Sequence, residues 1–125
     1  MKRPTIYIFM NKSLGMSPGK LAAQASHAMA YVPVLKSMWL KYPHRTILIM
    51  EARDQQHLEN IEKYLKERRI ISWSVIDEGV NETEPHVITA LATMVVDKED
   101  ERIQQVFSTF KTYREKYRLM IMAED

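Results

Sequence analysis

Cysteine is absent from the 125 residues. That excludes disulfides, a thiol nucleophile, iron–sulfur clusters and Cys-ligated zinc. It accords with a reducing compartment, so the cytoplasm is the expected location. Glycine (three) and proline (five) are too scarce for a collagenous or low-complexity chain. No apolar run approaches the roughly 18 residues of a membrane helix. Met1-Lys2-Arg3-Pro4 leads into a short alternating stretch with no small-residue cleavage site, so no secretory signal is expected. The four histidines, His27, His44, His57 and His86, lack close metal-ligand spacing. No Gly-x-Ser-x-Gly elbow occurs.

Negative charge is missing from positions 1–50. Only cations stand there: Lys2, Arg3, Lys12, Lys20, Lys36, Lys41 and Arg45. The whole chain has a net charge of +2, so the remainder is acidic. A basic half suggests an anionic partner such as nucleic acid or a phosphate ester. The plainer alternative is that folding mixes the two halves in space. The chain is 46% hydrophobic and 27% charged. At this length that describes one globular domain, residues 1–125, with a core large enough to need no covalent staple.

Strands and helices alternate in the pattern. Thr5–Met10 reads as a buried strand. Ser17-Pro18 is a helix start, with serine as cap and proline in the first turn, and the helix runs to about Tyr31. Thr46–Met50 is a second strand. Asp54 caps a helix over Gln55–Arg68 with Leu58, Ile61 and Leu65 at helical spacing. Ile70–Ile76 and Val87–Val96 read as the third and fourth strands. Asp97 is expected to cap a last helix near Glu99–Phe110. The tail, residues 111–125, fits either a helix or a short strand. Helical connections imply parallel pairing of the early strands. The predicted fold is a three-layer α/β/α sandwich with a mixed sheet of about four strands. Ligands in such sheets sit at the carboxyl ends of strands, which singles out the loops Asn11–Ser17 and Asp77–Pro85.

The first helix carries the strongest chemical signal. Against a background of Ala, Leu and Met, the polar residues Lys20, Gln24, His27 and Tyr31 recur at spacings of four, three and four. Such spacing places them on one face. A stripe with a single charge in its length makes a poor solvated face. Lys20 in the first turn opposes the helix dipole unless an anion or a developing oxyanion lies between them. Gly15 to Lys20 is not a nucleotide-binding P-loop. Three residues rather than four separate Gly15 from Gly19, and Leu21 stands where a magnesium-binding hydroxyl belongs. Asp77, at a strand's carboxyl end, is well placed for a working carboxylate. Glu82 and Glu84 read as plain turn residues. Lys111 to Arg118 interleaves bases with aromatics, which suits an RNA backbone and a solvated helix face alike.

These residues resemble a known family. Met16-Ser17-Pro18-Gly19-Lys20-Leu21-Ala22-Ala23-Gln24-Ala25-Ser26-His27-Ala28 resembles the Met-Gly-Lys-Gly-Lys-Ile-Ala-Ala-Gln-x-Ser-His-Ala signature of type 2 peptidyl-tRNA hydrolases. Asp77-Glu78-Gly79-Val80-Asn81-Glu82-Thr83-Glu84-Pro85 resembles the family's Asp-Ala-Gly-x-Thr-x-x-x-Pro. The resemblance implies a small α/β/α fold, a homodimer, and hydrolysis of the ester joining a peptide to the 3′ ribose of tRNA. It implies no metal or cofactor. Lys20 and Asp77 inherit the catalytic roles. Gln24, His27 and Asn81 would line the substrate site, while Lys12, with Lys36 and Lys41, would meet the tRNA backbone.

Three positions depart from the pattern. Asn81 replaces the family threonine, exchanging a hydroxyl that can relay a proton for an amide that can only position water. Pro18 removes a lysine and with it a phosphate contact. Glu78 replaces alanine and adds negative charge. These departures support a second expectation, a fold relative that has lost hydrolysis and binds RNA or protein.

Overall fold

The computed structural model describes residues 1–30, 39–77 and 87–114. Five strands and three helices lie within them: β1 (Pro4–Asn11), α1 (Pro18–Ala30), β2 (Thr46–Ala52), α2 (Gln55–Glu67), β3 (Ser72–Asp77), β4 (Val87–Thr93), β5 (Val96–Asp97) and α3 (Glu101–Phe107). The sheet order is β2-β1-β4-β3, with β5 also paired to β1. β1 and β2 are parallel, whereas β4 runs antiparallel to both β1 and β3. The carboxyl ends of β1, β2 and β3 therefore share one edge of the sheet, where Asn11, Glu51 and Asp77 stand.

The layering follows from strand alternation. On β1, Ile6, Ile8 and Met10 pack with Ala28 of α1, Trp39, Val75, Ala90 and Ala92. Tyr7 and Phe9 point the other way, into Leu58, Ile61 and Leu65 of α2 and Ile103, Val106 and Phe107 of α3. The three-layer α/β/α sandwich is thus the fold, and its mixed sheet gains the short fifth strand.

Local chemistry sets the boundaries. Ser17 caps α1: its Oγ accepts from Lys20 N–H at 3.3 Å and its carbonyl from Leu21 N–H at 2.9 Å. Asp54 caps α2 by accepting from His57 N–H at 2.8 Å. The other end of α2 closes with Ile70 N–H on Leu65 O and Arg69 N–H on Lys66 O. This bond pattern requires Arg69 to adopt the left-handed conformation, φ 61. Ile70 is consumed by that closure and buried against the helix, so β3 begins at Ser72 rather than Ile70.

Two sequence expectations need correction. The run Val87–Val96 is not one strand. Ile8 faces Ala92, but Thr5 faces Val96, so the register against β1 slips by one residue. The Thr93 hydroxyl fills the gap by accepting Tyr7 N–H at 3.1 Å, while Met94 N–H turns to Ile71 O at 2.8 Å. The last helix is capped by Asp100, which accepts from Arg102 N–H, and spans only Glu101–Phe107. Asp97 is already engaged by the backbone N–H groups of Lys2, Arg3 and Glu99, which hold its carboxyl below the usual value, Arg3 foremost. In the tail, Thr112 bridges Met50, and residues 111–113 run along the outer edge of β2.

Candidate active site

Two elements far apart in the sequence converge at the carboxyl edge. β3 delivers Asp77 at its last residue, and α1 delivers Lys20 in its first turn. Lys20 Nζ lies 3.6 Å from Asp77 Oδ2. Their side chains are 53% and 30% exposed, so the pair is solvent-screened. Such a pair is worth about 0–1 kcal/mol to stability. Holding the fold together is therefore a poor reason for its presence. A carboxylate beside an ammonium, both open to solvent at the end of a strand, can instead hold a water and oppose a developing negative charge.

The polar stripe on α1 divides. Gln24 turns inward and is buried, whereas Lys20 and His27 remain exposed. A helix with about 3.6 residues per turn places Lys20 and His27 along the rim of the face that carries Gln24 and Ala28. The stripe therefore runs along the boundary between core and solvent. Beneath it, Thr89 on β4 donates from Oγ1 to Gln24 Oε1 at 2.9 Å. Thr89 is 1% exposed. This buried bond fixes Gln24, one turn along α1 from Lys20, and with it the rotation of α1 on the sheet. Sequence reasoning missed Thr89. Its only signal was a hydroxyl residue in the middle of a largely apolar strand.

Asn11 was missed as well. It is buried at the end of β1, donates to Ile88 O at 2.9 Å, and accepts from the backbone and hydroxyl of Ser13. It anchors the loop that leads into α1. Gly15 completes that loop at φ 57, a left-handed conformation that glycine adopts without strain.

Lys12 sits away from the Lys20–Asp77 pair. Its Nζ lies 3.5 Å from Glu51 of β2 and 5.9 Å from the ring centre of Tyr113. Asn81, Glu78, Thr83, Tyr31 and Lys36 lie outside the described residues. Among the described residues no three metal-ligating side chains cluster, and no helix is long and apolar enough to cross a membrane.

An α1 amino end facing a strand-terminal aspartate, on a mixed sheet sandwiched by helices, defines an α/β protein with a lysine–carboxylate site. The family described as peptidyl-tRNA hydrolase PTH2 matches residues 5–113, which takes in every described element but the first residue of β1. The chain belongs to that family. It is similar to a peptidyl-tRNA hydrolase of Methanopyrus kandleri, 29% identical over 106 residues, covering 79% of this chain and 89% of that one. Its fold is similar to that of a protein of unknown function from Agrobacterium tumefaciens strain C58, with a TM-score of 0.64 and 13% identity. That match covers 91% of this chain and all of the other.

Proposed function

We propose that the protein hydrolyses the ester between peptide and tRNA in peptidyl-tRNA, releasing free tRNA. The observation that carries this reading is the approach of Lys20 to Asp77 at 3.6 Å, two residues 57 positions apart that each match the family pattern within its own motif. Asp77 accepts a proton from a water as that water attacks the ester carbonyl carbon. The oxyanion that forms is balanced by the Lys20 ammonium and the amino end of α1. Collapse expels the ribose 3′-oxygen, which takes up a proton. Gln24 and His27, with Asn81 from the loop after β3, bind the terminal ribose, the ester or the water. Lys12, with Lys36 and Lys41, meets the tRNA backbone. The reaction uses no metal or cofactor. The family pattern further supports a homodimer working in the cytoplasm.

A second reading rests on Asn81 and Glu78: an attenuated or inactive relative that binds RNA or protein. Single-turnover release of tRNA from a peptidyl-tRNA separates the two. Measurable release that rises in Asn81→Thr identifies a working but slowed hydrolase. No release from either the wild type or Asn81→Thr, with tRNA binding retained, identifies the binding module.

A further inference from the structure

A cavity of about 300 Å³ opens at the carboxyl end of β2, beside the start of α2 and the segment that follows α3. Glu51, Arg53, His57, Thr109, Phe110 and Lys111 line it. It shares the sheet edge with Asp77 but lies three strand spacings away, about 14 Å. It is therefore separate from the Lys20–Asp77 site, and nothing in the hydrolytic step uses it.

Its chemistry suits a phosphate. Arg53 and Lys111 bring two cationic residues to its lining, and Thr109 a hydroxyl residue. Among the described residues the one acid in the lining, Glu51, is engaged by Lys12 at 3.5 Å, which leaves this set and its immediate partner net positive. His57 is oriented as well. Its Nδ1 accepts the Arg53 backbone N–H at 2.9 Å, so the neutral ring carries its hydrogen on Nε2 and is a fixed donor. Burial, followed by the charge of Arg53, lowers its pKa and keeps that form in place at neutral pH, Asp54 opposing in part. The floor is rigid: Phe110 packs edge-on to Phe9 at 4.9 Å and to Tyr64 at 5.7 Å. Cations with a hydroxyl and an oriented N–H over a preorganised apolar floor are the usual elements of phosphodiester recognition.

We propose that this cavity is a subsite for a backbone phosphate of the RNA strand whose 3′ end enters the Lys20–Asp77 site. The proposal rests on the reading of tRNA as substrate. Both cations can be tested without disturbing the fold, because their structural bonds are made by backbone: Arg53 N–H to His57, and Lys111 O from Glu51 N–H.

The experiment is titration of the full chain with a fluorescent tRNA at several salt concentrations, alongside single-turnover release, for the wild type, Arg53→Gln, Lys111→Gln and Lys98→Gln. Lys98 lies at the opposite end of β1, bonded through its backbone to Arg3 O, and serves as the control. Arg53→Gln and Lys111→Gln each weaken binding about tenfold and lower the salt slope by about one, while Lys98→Gln changes neither. Wild-type affinity and slope in both cavity variants, with release intact, overturn the subsite and leave the hydrolase reading standing. If the wild type binds but does not cleave, hydrolysis fails and the two slopes still decide the subsite. A wild type that does not bind tRNA overturns both.

Discussion

The two helical layers of this protein are built from different material. Against one face of the sheet, α2 and α3 bury Leu58, Ile61, Leu65, Ile103, Val106 and Phe107. Tyr7 stacks on Phe107 with ring centres 3.9 Å apart, and Phe110 closes on Phe9 and Tyr64. Against the other face, α1 buries Gln24 and Ala28, with Leu21, Ala25 and Met29 half-buried beside them. Large interlocked rings fix a sheet and exclude water. Small residues do something else. They let a helix lie close to the strands, so that side chains on its rim reach groups on the sheet. The thick layer supplies stability, and the thin one supplies reach: Gln24 to Thr89, and Lys20 to Asp77.

That contrast is open to direct attack. Phe107→Ala removes the ring at the centre of the thick layer. It is expected to cost about 3–5 kcal/mol of unfolding free energy, read by urea denaturation, while the folded fraction keeps its turnover. Equal loss of stability and of turnover per folded molecule would erase the division between layers. Thr89→Val keeps the side-chain shape but leaves Gln24 Oε1 without its buried donor. About 1–3 kcal/mol of stability is lost. Unlike Phe107→Ala, this change lowers turnover per folded molecule, and Thr89→Ser restores it. An active, fully stable Thr89→Val would show that Gln24 needs no anchor.

The smallest effect belongs to His57. Its folded pKa lies below the ordinary 6.5, chiefly through burial. Between the two values the unfolded chain binds more protons than the folded one, so stability falls as pH drops through that window. It is fully present above about pH 6.5. His57→Gln removes that part of the pH dependence; unfolding curves collected from pH 8 to pH 5 would reveal it. An unchanged profile would mean that another group causes the acid sensitivity.

Much of this was legible in the sequence because the signals are local. Ser17-Pro18 and Asp54 announce helix starts through hydrogen bonds made within three residues. Thr5–Met10 is apolar enough to be read as a buried strand, and β1 is buried throughout. Thr46–Met50 reads the same way, but β2 ends the strand order and leaves Ile47 and Ile49 exposed. What failed was non-local. The slip between β4 and β5 is invisible in a continuous apolar run, because it is set by register against β1. Asp97 and Asp100 are equivalent caps until Asp97 is taken by the N-terminal backbone, 94 positions away. The site shows the same divide. Lys20 and Asp77 could be named from their motifs, but their approach depends on β3 running alongside β4. Thr89 was hidden because a threonine in a strand is ordinary until its hydroxyl is found bonded to Gln24.

The central claim is that the exposed Lys20–Asp77 pair exists for chemistry rather than for stability. The most direct test is single-turnover release of tRNA from a peptidyl-tRNA by the wild type, Lys20→Ala and Asp77→Ala, with unfolding curves for all three. The account predicts release by the wild type, its loss in both variants by at least about a thousandfold, and for Lys20→Ala a stability within about 1 kcal/mol of wild type. Near-normal release from either variant would contradict it.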